Sequence, residues 1–355
     1  MNTLNITLLE PFFSGSHRQW ALGLQKHSSH NISILSLPGR HWKWRMHGGA
    51  ISLAKQFNEL EQTPDLILAT SMLGLSTFLS LTRKKSSAIP VAIYFHENQL
   101  TYPWSPQDRD VKNKRNNHYA FINYTAALAA DKIFFNSSYH RDSFLEALPK
   151  FLSQFPDKRE RANIELIKAK SEVLHLGLDL QRFDAFIGSE KEKEPEAVIL
   201  WNHRWEYDKR PKAFFKALFS IKEKGVKFKL VVLGEHNEMI PPIFEEAKQK
   251  LHTEILHWGY VDSFEDYARL LWRADILPVT SNQDFFGGSV VEAMYCDCYP
   301  ILPNRLAYPE HIPKEIQRDY LYEEGELVIM LETAIENVMA VRQVDYQSLV
   351  KKYDW

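Results

Sequence analysis

The stretch "DILPVTSNQDFFGGSVVEAMYCDCYPIL", residues 275–302, runs from a short apolar strand through a polar loop and a double glycine into a helix that should begin near Ser289. Glycines let a backbone approach a ligand closely, and the exposed amides of a helix start favour phosphate or sugar oxygens. Asp284 lies in the loop and Glu292 lies eight residues later, in the helix. We therefore expect the two carboxylates to contact different parts of one ligand.

A second stretch, "WNHRWEYDKRP" (residues 201–211), also follows an apolar strand and carries Arg204 and Lys209 on the expected loop. Two cations so placed suit a diphosphate leaving group, whose negative charge grows as its bond breaks. Taken alone, the pattern is more typical of a solvated arginine and lysine. Because the glycine-containing stretch should lie at the same sheet edge, we favour the diphosphate role.

Short apolar runs alternate with amphipathic segments along most of the chain, which is typical of parallel sheets covered by helices on both faces. The alternation is interrupted by the charged stretch "FIGSEKEKEPEA" (residues 186–197) and then restarts. The sequence therefore predicts an α/β protein of two Rossmann-like domains, with a ligand in the cleft between them. The expected divisions are a first Rossmann-like domain 1–185, a second Rossmann-like domain 186–335 and a helical tail 336–355.

Composition and length are those of a globular protein of two domains, without a structural disulfide or a structural zinc site. The 355 residues are 45% hydrophobic and 25% charged, as in an ordinary globular protein, and their length predicts two domains. Residues 1–150 carry 16 Lys and Arg against 10 Asp and Glu, so the first half can present a basic surface. Cys296 and Cys298 are too close together for a structural disulfide and too few for a structural zinc site. We find no targeting or membrane-spanning segment and expect a cytoplasmic protein.

The second half resembles the nucleotide-sugar-binding domain of retaining glycosyltransferases of the two-Rossmann-domain, or GT-B, type. Those enzymes carry an acid, seven intervening residues and a glutamate, matched here by Asp284 and Glu292, where aspartate replaces the usual first glutamate. The resemblance implies that Glu292 holds the nucleotide ribose and that Arg204 and Lys209 stabilise the departing diphosphate. It further implies that the transferred sugar meets Asp284 and the amides of Gly287 and Gly288, and we expect Ser289 to bind the donor as well.

The first half extends this resemblance. "EPFFSGSHRQW" (residues 10–20) places Gly15 and Ser16 in the loop after the first strand, where such enzymes approach the donor phosphates. "YFHENQLTYPW" (residues 94–104) ends a strand at His96, which by the resemblance lies beside the transferred sugar, although a simply buried histidine is the alternative. Over nearly the whole chain the sequence is similar to the glycosyltransferase-like family that includes tRNA-queuosine α-mannosyltransferase.

A basic and aromatic stretch, "GRHWKWRMHGG" (residues 39–49), contains no acidic residue. Indoles can stack on unpaired bases and cations can meet phosphates, so we expect a loop that binds RNA, with a mobile or tightly turned exit at the two glycines. "KNKRNNHY" (residues 112–119) extends the positive surface. The alternative is that the indoles cover the flank of the sheet and the cations are solvated. The expected acceptor-binding residues are Arg40, Trp42, Lys43, Trp44, Arg45 and His47.

Taken with the resemblance, these patterns lead us to expect a retaining transferase that moves mannose from GDP-mannose to queuosine in a tRNA anticodon loop. The resemblance implies the sugar and the acceptor, whereas the residues themselves indicate only a nucleotide-sugar donor and a polyanionic, stackable acceptor. We expect no metal and no cofactor, because Arg204 and Lys209 can neutralise the leaving group. Three alternatives remain open: a transferase for a lipid-linked or polysaccharide acceptor, a nucleotide-sugar epimerase, and an RNA-binding module without catalysis.

Overall fold

The protein forms two compact units, residues 1–178 together with Trp355, and residues 179–354. A computed structural model describes residues 2–105, 108–113, 117–188, 193–235 and 240–355. The division falls seven residues before the expected one at 185/186, because Phe183 packs edge-to-face on Phe264 of the second unit at 4.9 Å. Part of the expected junction, residues 189–192, lies outside the described residues.

The first unit is a parallel six-stranded sheet with strand order β2-β1-β3-β4-β5-β6. Its strands are β1 (Asn5–Phe13), β2 (Asn31–Pro38), β3 (Leu66–Thr70), β4 (Val91–Phe95), β5 (Lys132–Phe135) and β6 (Ser171–Val173). Its helices are α1 (Gly15–His27), α2 (Trp42–Asn58), α3 (Leu75–Ser86), α4 (Arg109–Lys112), α5 (Asn117–Ala129), α6 (Ser138–Leu152) and α7 (Asn163–Ala169).

The second unit is also a parallel six-stranded sheet, with strand order β12-β11-β10-β7-β8-β9. Its strands are β7 (Ala197–Trp201), β8 (Phe228–Val232), β9 (Ile255–Trp258), β10 (Ile276–Pro278), β11 (Tyr299–Pro303) and β12 (Leu321–Tyr322). Its α-helices are α8 (Pro211–Glu223), α9 (Ile243–Lys250), α10 (Phe264–Arg273), α11 (Gly288–Tyr295), α12 (Leu327–Glu336), α13 (Val338–Val341) and α14 (Gln347–Val350). Its 3₁₀ helices are Gln181–Phe186, Tyr207–Lys209, Tyr308–His311, Lys314–Asp319 and Lys351–Tyr353.

The apolar runs that predicted buried strands form the central strands of both sheets. Every residue of β4 and of β7 is buried, as expected where helices cover both faces of a parallel sheet. The starts of α6 and α10 follow the usual capping chemistry: the Ser137 and Ser263 hydroxyls accept hydrogen bonds from first-turn amides of these helices. Among the described residues, none of the helices has the length and apolar character needed to cross a bilayer.

The C-terminal segment does not form a separate tail, because an ion pair ties it to the sheet of the second unit. Arg342 donates from Nε to Asp275 Oδ1 at 2.8 Å and from Nη2 to Asp275 Oδ2 at 2.7 Å. The Asp275 carboxylate is fully buried and also accepts the Val198 amide at 2.9 Å. Burial alone would raise the pKa of Asp275, but Arg342 and Lys193 lower it below its usual value.

We predict that Asp275→Asn lowers the free energy of unfolding by about 3 kcal/mol at neutral pH, because it leaves the Arg342 guanidinium without its charged partner. Because the folded-state pKa of Asp275 is depressed, its stabilisation is present above the unfolded-state pKa and is lost as the pH falls through the folded-state value. Urea unfolding of the wild type and the variant should therefore converge in acid. A matched control, Glu246→Gln in the exposed Lys250–Glu246 pair, should change stability by less than about 0.5 kcal/mol. Equal effects of the two substitutions would contradict this role of Asp275.

Candidate functional site

The loop between β10 and α11 has the backbone shape that its double glycine predicted. Gly287 has a φ of 86° and precedes the first residue of α11, Gly288. A Cβ at position 287 would lie 3.1 Å from the Tyr308 ring, so glycine suits both the conformation and the space. The first amides of α11 have no acceptor within their own helix and can bind an anionic or hydroxyl oxygen.

Lys209 and Asp284, which the sequence placed in different stretches, form an ion pair. Lys209 Nζ donates to Asp284 Oδ2 at 3.0 Å and to the Gln283 carbonyl at 2.7 Å, while the Tyr308 hydroxyl donates to Asp284 Oδ2 at 2.8 Å. Asp208 Oδ2 lies 3.7 Å from the same ammonium. Burial alone would raise the pKa of Asp284, but Lys209 lowers it, so the carboxyl is ionised at neutral pH. The cluster therefore holds a desolvated ammonium that is already paired with the Asp284 carboxylate.

Arg204 occupies a different environment from Lys209, although both follow β7. Its side chain is 53% exposed, and Nη1 lies 3.3 Å from Glu206 Oε1. Lys209 is 7% exposed. A diphosphate would therefore meet an exposed guanidinium at one position and a buried ammonium at the other.

Glu292 is held by two side chains that sequence reasoning missed. Arg182 Nη2 donates to Glu292 Oε1 at 3.2 Å, and the Tyr267 hydroxyl donates to Oε2 at 2.8 Å. The Arg182 guanidinium lies 4.0 Å from the centre of the Phe264 ring. Burial raises the pKa of Glu292 above its usual value, although Arg182 and Tyr267 oppose that shift. No local sequence signal reveals Arg182, because it lies 110 residues from its partner.

The end of β7 is joined to the start of α11 by two further residues. The Asn202 side-chain amide donates to the Ser289 carbonyl at 2.7 Å, and His203 Nδ1 lies 3.2 Å from Ser289 Oγ. The loop that carries Arg204 is therefore fixed to the helix that carries Glu292. The second unit brings Lys209 and Asp284 together and connects Ser289 to the end of β7.

In the first unit, Gly15 and Ser16 do not lie in a loop but begin α1, where both are exposed. The helix starts early because Gly15, with a φ of 49°, turns the chain directly after Ser14. His17 is buried behind them, and its Nδ1 lies 3.2 Å from Glu10 Oε2. Burial alone would lower the pKa of His17, but the Glu10 carboxylate raises it above its usual value.

His96 directly follows β4, at the strand end that the sequence predicted. Its ring lies 4.3 Å from the ring of His17 and 4.6 Å from that of Trp20, measured between centroids. Burial and the neighbouring histidines hold the pKa of His96 well below its usual value, so the ring is neutral. Glu10, His17 and His96 offer ligand atoms within 4.8 Å of one another, a donor set of a type that could hold a transition metal.

The prediction that residues 39–49 form a loop is wrong, because α2 begins at Trp42 and continues through Gly48 and Gly49. The glycines serve close packing instead of an exit turn. A Cβ at Gly48 would lie 2.4 Å from the Trp44 indole, and one at Gly49 would lie 3.1 Å from Pro11.

Trp42 and Lys43, both expected to bind the acceptor, contact other residues of the first unit. The Trp42 ring packs on Tyr119 at 5.2 Å and on Trp104 at 5.9 Å. Lys43 Nζ lies 2.6 Å from Asp108 Oδ1 and 2.5 Å from Asp110 Oδ2, so its charge is already neutralised. Trp42 thus fits the alternative in which an indole covers the flank of the sheet.

The other four residues differ in how accessible they are. Trp44 is 62% exposed, and Arg40 and His47 are also exposed. Arg45 is half-buried, and its Nε donates to the Pro38 carbonyl at 3.1 Å. Burial and the nearby His118 lower the pKa of His47, which therefore adds little positive charge at neutral pH. Residues 114–116 of the second basic stretch lie outside the described residues.

Comparison with known proteins identifies the family of each unit. Residues 5–178 match the model of the tRNA-queuosine alpha-mannosyltransferase N-terminal family, and residues 183–347 match that of the glycosyl transferases group 1 family. A tRNA-queuosine alpha-mannosyltransferase of Drosophila melanogaster is 36% identical over 318 residues, which cover 88% of this chain and 82% of the relative.

The similarity of this chain to solved structures of low sequence identity establishes its fold and nothing more. Anabaena HepE, solved with UDP-glucose, is 15% identical with a TM-score of 0.64, and the match covers 99% of this chain and 96% of HepE. Sucrose-phosphate synthase from Thermosynechococcus elongatus is 11% identical with a TM-score of 0.70, over 99% of this chain and 95% of the synthase. The predicted α/β fold of two Rossmann-like units is therefore confirmed. The chain is a glycosyltransferase and belongs to the tRNA-queuosine alpha-mannosyltransferase family.

Proposed function

We propose that this protein transfers mannose from GDP-mannose to queuosine in a tRNA anticodon, with retention of the anomeric configuration and without a metal ion. The family supplies the acceptor and the sugar. The observation that carries the donor assignment is the buried Lys209–Asp284 pair beside the start of α11, in the unit that matches the glycosyl transferases group 1 family. The two cysteines are unpaired and buried, which fits a reducing compartment such as the cytoplasm.

Each donor contact is assigned to a residue of stated chemistry. Glu292 accepts hydrogen bonds from the ribose hydroxyls, and Asp284 accepts them from the mannose. The amides of Gly287 and Gly288 and the hydroxyl of Ser289 donate to sugar or phosphate oxygens. In the first unit, the assignment of Gly15 and Ser16 to the donor phosphates and of His96 to the transferred sugar rests on the resemblance and stays a prediction.

The chemical step needs stabilisation of a departing diphosphate. The bond between the anomeric carbon and the phosphate oxygen breaks, and the electron pair stays with GDP. Lys209, desolvated and fixed, and Arg204 stabilise that charge as it develops. The queuosine hydroxyl forms the new bond on the face that GDP leaves, and its proton passes to the departing diphosphate. Because the two side chains supply the positive charge, no metal ion is required.

The acceptor surface is centred on Trp44. Its exposed indole offers a stacking face to an unpaired anticodon base, and Arg40 and Arg45 supply charge toward the phosphates. Trp42 and Lys43 contribute indirectly, since their contacts with Tyr119 and Asp108 hold the start of α2 in place.

A transfer assay tests the function directly. Purified protein is incubated with radiolabelled GDP-mannose and with tRNA from cells that make queuosine or from cells that cannot. We expect label only in the queuosine-containing tRNA, with the same rate in the presence of a chelator. Label in neither pool would contradict the proposed acceptor. Transfer from UDP-mannose but not from GDP-mannose would contradict the proposed donor. Activity that is lost with the chelator and restored by a divalent cation would contradict metal independence.

We predict that Lys209→Met reduces the rate of mannose transfer by about 10²–10³-fold, because the departing diphosphate loses a desolvated positive charge. Methionine keeps the apolar stem. The substitution also leaves the Asp284 carboxylate without its charged partner, so we expect a loss of stability of about 3 kcal/mol beside the loss of rate. The affinity for tRNA, measured by filter binding, should not change.

The matched control is Lys222→Met, which removes a lysine paired with Glu254 at 2.8 Å in the same unit and should leave transfer unchanged. Near-normal transfer by the Lys209 variant would refute its role at the diphosphate. Thermal unfolding of both variants shows whether any loss of activity merely reflects loss of fold.

The two tryptophans of α2 should respond differently to substitution. We predict that Trp44→Ala weakens tRNA binding roughly tenfold, as expected for one lost stacking contact, with a change in stability below about 0.5 kcal/mol. Trp42→Ala should instead lower stability by about 1–3 kcal/mol, because its ring packs between other aromatic rings.

Filter binding and urea unfolding measure the two effects separately. Slow hydrolysis of GDP-mannose in the absence of tRNA should be unaffected by Trp44→Ala, since the donor contacts are assigned to other residues. Unchanged tRNA affinity in the Trp44 variant would exclude the proposed acceptor surface.

A further inference from the structure

His203 has no assigned role in the donor site, yet it lies beside the residues that do. It follows β7 and precedes Arg204, and its side chain is 3% exposed. Burying an imidazole is costly unless both of its nitrogens find partners. The contacts of the two ring nitrogens therefore indicate whether His203 has a structural or a ligand-binding role.

The ring is fixed on one side. Its Nδ1 lies 3.2 Å from Ser289 Oγ, and the Trp201 ring meets it edge-on at 5.3 Å. The backbone is fixed as well, since Trp201 Nε1 donates to the His203 carbonyl at 2.9 Å. A Cβ at Gly234 would lie 2.0 Å from that carbonyl, so only glycine allows this close approach. The ring has little freedom to turn.

The other nitrogen, Nε2, is buried and finds no hydrogen-bond partner in the part of the chain that the structure describes. Leaving such a group unsatisfied costs about 1–3 kcal/mol, which a bound ligand would recover. The charges that act on the ring are those of Lys209 and Asp284, the pair at the proposed donor site. The unsatisfied nitrogen is therefore close to the place where the proposed donor would bind.

Burial and the positive charge of Lys209 lower the pKa of His203 to about 3, with Asp284 opposing the shift. The ring is therefore neutral under working conditions and carries a single proton. When the Ser289 hydroxyl donates to Nδ1, that proton lies on Nε2. Nε2 then carries a neutral N–H donor.

We propose that His203 is a donor-binding residue whose Nε2–H hydrogen-bonds an oxygen of the nucleotide-sugar diphosphate, with Ser289 fixing the tautomer. This inference rests on the proposed donor site and adds a residue that the resemblance does not assign. The diphosphate is the expected partner because an N–H donor needs an acceptor and because Lys209 draws an anion to the same place. A neutral donor can join Lys209 there without the like-charge repulsion that a second buried cation would bring.

Calorimetric binding of GDP and of GDP-mannose tests the inference on the full-length protein. His203→Leu removes the N–H, whereas His203→Gln keeps an N–H donor at similar reach. We expect His203→Leu to weaken both ligands by the same factor, roughly 10–100-fold, as for a lost hydrogen bond to a charged group. His203→Gln should stay within about threefold of the wild type, and because His203 does not titrate, the loss in the leucine variant should be constant between about pH 6 and 9.

The control is His257→Leu, which removes an imidazole bonded to the Gly259 carbonyl at 3.1 Å in the same unit and should leave both affinities unchanged. Equal losses in the leucine and glutamine variants would show that His203 acts only through packing. Weaker binding of GDP-mannose with unchanged binding of GDP would place the contact on the sugar and overturn the diphosphate assignment.

Nitrogen-15 NMR of labelled histidine in the wild type needs no substitution and remains informative if a variant fails to fold. The His203 signals should show the Nε2–H tautomer and should shift when GDP is added. An Nδ1–H tautomer, or no shift in a protein that binds GDP, would overturn the inference alone. A wild type that binds neither nucleotide would contradict the proposed function itself.

Discussion

The buried ion pair between Lys209 and Asp284 is the constraint on which the second unit's site depends. Neither charge is stable in this setting alone, because removing one partner leaves the other desolvated and uncompensated. The pair is supported by its neighbours: Lys209 Nζ donates to the Gln283 carbonyl, the Tyr308 hydroxyl donates to Asp284, and the Thr280 hydroxyl donates to the Lys209 carbonyl at 2.8 Å. The loops after β7 and β10 are thereby fixed to each other before any ligand arrives.

A second network holds Glu292 on the same unit, and it works in a different way. Here Arg182 supplies the charge and Tyr267 a neutral hydroxyl, yet burial still raises the carboxyl pKa. Asp284, by contrast, has a depressed pKa because the Lys209 ammonium is itself buried and therefore weakly screened. Two carboxyl groups eight residues apart are thus held with opposite pKa shifts, because their charged neighbours differ in burial.

Much of this architecture could be predicted from local sequence. Apolar runs in β4 and β7 predict buried parallel strands, and the glycines before α11 predict a helix start that approaches a ligand. What failed was the assignment of residues 39–49 to a loop. Gly48 and Gly49 suggested a turn, but they are small because an indole and a proline pack against them. These are tertiary contacts. The pairing of Lys43 with Asp108 and of Arg182 with Glu292 is tertiary as well, and no local sequence pattern indicates it.

The helical form of residues 42–49 determines which side chains the basic surface can present. A loop could have presented two indoles and all of its cations to an RNA chain, whereas the helix divides them between the packed and the exposed face. Two aspartates neutralise Lys43, and the lowered pKa of His47 leaves that ring largely uncharged at neutral pH, so Arg40 and Arg45 carry most of the positive charge of this stretch. The remaining positive charge attracts RNA phosphates only weakly, and this attraction depends little on the nucleotide sequence. Discrimination among tRNAs must therefore come mainly from contacts with the bases, and the exposed indole of Trp44 is the group on α2 best able to make one.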